Sequence, residues 1–143
     1  MPFSDPALAR DAILDHFTTE WNAQASPPEL RYDDRTQDLP SGDVSWARVS
    51  VLHNTGRQNT MGETGNRRFR KTGIVTVQIF TPFGDGLTES DILVKVAVDA
   101  FEGKSTGGGD TVDFTNVRSQ EIGRDGYWYQ TNVLAEFDYD AVK

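Results

Sequence analysis

The sequence predicts an α+β fold: a mostly antiparallel sheet with two helices packed on it and one long hairpin arm. Three observations carry this. Two stretches repeat apolar residues at helical spacing, the segments around them alternate or are rich in β-branched residues, and the turns between strands have hairpin chemistry. At 143 residues the chain has the length of one domain, so a single unit over 1–143 with a projecting arm at 55–71 is expected.

The first helix is expected from its punctuation and its stripe. Ser4 is placed to cap, Asp5 suits the positive end of the helix dipole, and Pro6 is tolerated in a first turn. Ala9, Ile13, Phe17 and Trp21 fall on one face, joined by Leu8, Ala12 and His16. Pro27 and Pro28 cannot continue a helix, so it ends before them.

A short extended piece over Leu30–Asp33 leads into a polar, turn-rich loop from Asp34 to Asp43. Trp46 to Leu52 alternates, with Ala47, Val49 and Val51 on one side and Trp46, Arg48 and Ser50 on the other. Thr55 to Gly65 is rich in Gly, Asn and Thr and has almost nothing to bury, so it is expected to project. Phe69 to Thr81 returns as a strand through Ile74-Val75-Thr76-Val77, closing at Pro82-Phe83-Gly84-Asp85-Gly86.

A second helix opens at Thr88, where Asp91 stands in for the usual Glu of a capping box. Its expected buried face is Ile92, Val96 and Ala100 with Leu93, Ala97 and Phe101, and Gly103 stops it. Two last strands, Val112–Ile122 and Tyr127–Tyr139, are joined by Gly123-Arg124-Asp125-Gly126, where Asp-Gly suits a tight turn. On the final strand Tyr127, Tyr129, Thr131, Val133, Ala135, Phe137 and Tyr139 share one face.

Hydrophobic residues make up 36% and charged residues 25%, a composition that suits a folded chain. No stretch has the apolar length of a membrane span, and the start lacks the features of a signal peptide, so a chain made and kept in a cytoplasm, or in a particle assembled there, is expected. With no cysteine there is no disulfide, thiolate nucleophile or thiolate metal site. The net charge of −8 opposes general attraction to nucleic acid or anionic membranes.

Residue patterns for chemistry fail when tested. Gly103-Lys104-Ser105-Thr106 ends like a phosphate-binding loop, but Val98 stands where the earlier glycine belongs and the segment follows a helix. His16 and His53 are the only imidazoles, too few for a zinc site without an organised set of carboxylates. No serine or aspartate lies in a nucleophile-elbow context. Asp33-Asp34 and the Asp138/Asp140 pair read as acidic edges, the alternative being a carboxylate pair for acid–base work. No enzymatic activity, metal or cofactor is expected.

The charge that does stand out is local. Arg57, Arg67, Arg68, Arg70 and Lys71 face only Glu63 within their segment, in a chain that is otherwise acidic. Three readings remain: a solvated loop, a nucleic-acid contact with little aromatic support beyond Phe69, and docking on an acidic face of an identical neighbour. Arginine suits the last, because its planar fork grips carboxylates at two points. These five residues are the candidate subunit interface, with Arg68 and Arg70 expected to reach a neighbour's acids.

The order of elements and several short strings resemble a known family. An amphipathic first helix ending in Phe17 and Trp21, the Trp46-Ala47-Arg48-Val49 strand, the arm with Arg68 to Lys71, the run from Gly73 through Val77-Gln78-Ile79-Phe80-Thr81-Pro82-Phe83-Gly84-Asp85-Gly86, and Gly126-Tyr127-Trp128 are similar to bacteriophage tail terminator proteins of the lambda gpU-like superfamily. The resemblance implies a structural virion protein of a long-tailed siphovirus. It implies a homohexameric ring at the head-proximal end of the tail that caps the tail tube protein and meets a head–tail connector protein. DNA would pass through without specific binding, and no cofactor is implied. A head–tail connector or neck subunit is the alternative; a small ligand-binding or enzymatic α+β domain is the rival of another class, which requires an apolar pocket with convergent polar groups.

Overall fold

The computed structural model describes residues 6–24, 27–32, 44–58, 60–65, 67–84, 87–106, 111–126 and 128–142. The order along the chain is α1 (Pro6–Asn22), β1 (Glu29–Tyr32), β2 (Trp46–Gln58), β3 (Arg68–Pro82), α2 (Thr88–Phe101), β4 (Asp113–Asp125) and β5 (Trp128–Val142). The strands form one five-stranded sheet in the order β1-β2-β3-β5-β4. Among the described residues the short edge pair β1/β2 is parallel and the other strand pairings are antiparallel. The expected α+β class is therefore what the chain adopts. The expected Ser4 cap, the Asp34–Asp43 loop and Tyr127 fall outside the described residues.

Register fixes which face is buried. Val49, Val77 and Val133 lie in one row across β2, β3 and β5, and Val51, Val75 and Ala135 in another. Period-two alternation sends these rows to the helix side, where they join one core with the α1 stripe Ala9, Ile13, Phe17 and Trp21 and the α2 residues Leu93, Ala97 and Phe101. Phe17 stacks on Phe101 with centroids 5.2 Å apart, which pins the two helices together over the sheet. Full burial of such side chains contributes about 1.5–3 kcal/mol each.

Trp21 Nε1 donates to the Pro28 carbonyl at 3.0 Å, so the buried indole also fixes the exit of α1. His16 donates from Nε2 to the Ala100 carbonyl at 2.7 Å and stacks on Phe114, a core-edge role. Lys104 pairs with Glu20 at 3.2 Å, and Thr106 Oγ1 accepts from the Val112 amide at 2.9 Å. The glycine-lysine segment thus ties α2 to α1 and β4, with no convergence of amides on an anion.

Four expectations need correction. The N-cap of α2 is Leu87, with no side-chain cap; Thr88 already lies inside the helix and Glu89 instead accepts from Ser45 Oγ at 2.7 Å. Ile92 is exposed, because the buried stripe of α2 is rotated to Ser90, Leu93, Ala97, Ala100 and Phe101, small residues where the helix approaches the sheet. Leu8 is likewise exposed. The β4/β5 turn comes later than expected: Asp125 pairs with Trp128, and Gly123 (φ 107°) is absorbed in a bulge after Glu121.

Candidate functional site

The base of the arm is more ordered than its composition suggests. β2 continues to Gln58, which pairs with Phe69, so the connection between strands is confined to residues 59–67. A shift in register between His53 and Thr55 re-aims the strand, after which Gly56 lies opposite Lys71. A Cβ on Gly56 would lie 2.8 Å from Lys71 Nζ, so the bare backbone there leaves room for the lysine. β3 meanwhile pairs with β5 as far as Arg68 opposite Val142, giving the arm a three-stranded root.

The five candidate cations separate into two kinds. Arg70 is used within the chain: its Nη1 lies 3.2 Å from Asp140 Oδ1 and its Nη2 3.2 Å from Asp138 Oδ2. Arg68 approaches Asp140 at 3.7 Å. The hydrogen bond to Asp140, with the charge of Asp138 added, holds the Arg70 guanidinium still more firmly in its charged form. Asp138 and Asp140 are therefore an ionic root for the arm. Arg57 is exposed, Arg67 donates to Thr64 Oγ1 at 2.8 Å, and Lys71 Nζ lies 5.8 Å from the Phe69 ring centroid. None of these three is ion-paired among the described residues, and Arg67 and Lys71, unlike Arg57, are half-buried.

A groove of ≈ 550 Å³ runs along this root, lined by Gly56, Arg57, Arg70, Thr72 and Asp138. Apart from Gly56 its lining residues are charged or polar, with no aromatic or aliphatic residue among them. On the helix side of the root, His53 Nε2 is 2.7 Å from Tyr139 Oη, and its ring meets Phe137 and Tyr139 edge-on. Burial, then the charges of Arg10 and Lys71, hold the His53 pKa below its ordinary value of 6.5.

The opposite end of the sheet carries a feature that period-two reading misses. Trp46, Phe80 and Trp128 face away from the helices yet are buried in a cluster of their own. Trp46 stacks on Phe80 at 4.2 Å and meets Trp128 edge-on at 5.9 Å. The signal was present as three aromatic residues on the otherwise polar faces of strand ends. Arg31 lies over Trp46, with its guanidinium carbon 5.4 Å from the ring centroid. Between this cluster and the arm root the open face is polar in the middle, with Arg48 donating to Gln78 at 2.7 Å and Gln130 to Asn132 at 2.9 Å.

A long sheet with one helical face and a charged arm suits contact between proteins. A family model described as phage tail terminator protein matches residues 9–137. The chain belongs to that family. It is a structural component of a phage tail, and the terminator match spans both helices and nearly the whole sheet. No curated protein matches the sequence. A solved structure superposes with a TM-score of 0.72 over 94% of this chain and 95% of its own, at 16% identity, a likeness of fold alone. Among the described residues no helix is long and apolar enough to cross a membrane, and no group of three or more His, Cys, Asp or Glu side chains is placed to hold a metal.

Proposed function

We propose that this terminator closes the head-proximal end of the tail tube as a ring of identical copies, a homohexamer, and presents the other side of that ring to the head–tail connector. The observation that carries the reading is the arm: an ionic root fixes it to β5, while Arg57, Arg67 and Lys71 are left without an ion pair among the described residues. The arm contacts a neighbouring subunit or the last ring of tube protein, and its arginines meet carboxylates there. The net charge of −8 suits a ring through which DNA passes without adhering. The protein acts by shape and surface, without chemistry or cofactor.

Electron microscopy of tail tubes mixed with the purified, tagged protein tests this. The expected image has tag density at one end of each tube and none along its length; density scattered along the tubes contradicts capping.

A further inference from the structure

The two ends of the central hairpin are complementary, and one chain has no means of bringing them together. β3 holds 15 residues from Arg68 to Pro82, which sets its ends about 45 Å apart at about 3.3 Å per residue. At the arm end Met61 is 95% exposed, a bare apolar side chain in the connection between Arg57 and Arg67. At the far end Val44, Phe83 and Leu87 are each close to half exposed, at 48%, 50% and 44%.

Val44 and Phe83 lie beside the strand ends that carry the buried aromatic trio, and Leu87 lies at the start of α2. Trp128 Nε1 donates to the Val44 carbonyl at 3.2 Å, Pro82 pairs with Trp128, and the Arg124 guanidinium lies 4.3 Å from the centroid of Phe83. The Ser45 to Glu89 hydrogen bond of 2.7 Å sets Val44 beside the first turn of α2, whose N-cap is Leu87. That turn carries the exposed acids Glu89 and Asp91. The far end thus presents exposed apolar side chains, with Glu89 and Asp91 on the α2 side and Arg124 over Phe83. The arm presents exposed Met61 between Arg57 and Arg67 in the chain.

We propose that the arm of one copy seats on the aromatic end of the next, with Met61 against Phe83 and Leu87 and with Arg57 and Arg67 toward Glu89 and Asp91. Methionine suits the contact because its flexible thioether packs well on aromatic surfaces. Each copy then gives an arm and receives one, a head-to-tail contact that closes into a ring when its rotation closes. The proposal rests on the ring reading above and names the surface that receives the arm.

The chain has no cysteine, so single cysteines placed at the two surfaces report the contact directly. Met61→Cys and Leu87→Cys variants are mixed, one isotope-labelled, and oxidised gently, while each is also checked for tube capping. The expected result is a Met61→Cys/Leu87→Cys heterodimer in about tenfold excess over either homodimer, the signature of a high effective concentration. The double variant gives a ladder of multimers. Random proportions of the three dimers, with both variants still capping tubes, overturn the arm-to-aromatic-end contact and leave the terminator reading standing. A strong heterodimer preference in a protein that fails to cap tubes upholds the contact and removes the terminator reading.

Discussion

Arg70 on β3 faces Asp140, its directly paired neighbour on β5, with Nη1 3.2 Å from Oδ1. The same guanidinium reaches Asp138 two residues back along β5, so one side chain staples the arm's root to the last strand.

Arg70→Ala is predicted to lower stability by about 1 kcal/mol, the scale of a partly exposed ion-pair network, and to loosen the β3/β5 end, read as faster amide exchange at Asp138 to Ala141. Arg57→Glu is predicted to leave stability within about 0.5 kcal/mol, because Arg57 is exposed and pairs across the ladder with Arg70. Assembly is the property it should weaken. Reversing Arg68 and Arg70 together would break the root as well as any contact, so it is a poor probe of an interface.

Glycine at two positions of the same hairpin is predicted to differ sharply in tolerance. A Cβ on Gly73 would lie 2.3 Å from the Leu52 carbonyl oxygen and 2.4 Å from Phe137 Cζ, and the backbone atom cannot give way. Gly73→Ala should cost about 1–3 kcal/mol or more. Gly56→Ala meets only the movable end of Lys71, and should cost under about 1 kcal/mol. Chemical denaturation of the two variants checks the contrast.

Stability is predicted to fall with acid partly through His53. Its folded pKa lies below the unfolded value of 6.5, so the unfolded chain binds the proton first as pH drops. The contribution is fully present above the unfolded pKa and is lost as pH falls through the folded one. Between about pH 7.5 and about pH 5 the wild type should lose more thermal stability than His53→Gln, with Arg10 and Lys71 as the charges that the imidazolium would meet. Equal losses would place the effect elsewhere.

Elements buried on one face alone were the ones that could be read from the sequence. The α1 stripe of Ala9, Ile13, Phe17 and Trp21 and the alternation of β5 from Thr131 to Tyr139 are matched by burial at each of those positions. Ile92 misled because hydrophobicity ranks it above Ser90, whereas the first turn of α2 buries Ser90 with its hydroxyl 3.3 Å from that of Thr131. The root of the arm was hidden for a different reason. Strand pairing at Gly56 and Arg57 depends on β3 being present beside them, and Arg70 with Asp140 is a contact across 70 positions. No local pattern records either.

Tail-tube length is the most direct measure of the central claim. Tube subunits are polymerised with and without the purified full-length protein, and lengths are measured from electron micrographs. Termination predicts tubes that stop growing once a ring has bound, with a length distribution that shifts downward as more protein is added, and a weaker shift for Arg57→Glu. Tubes that elongate unchanged at every concentration would contradict it.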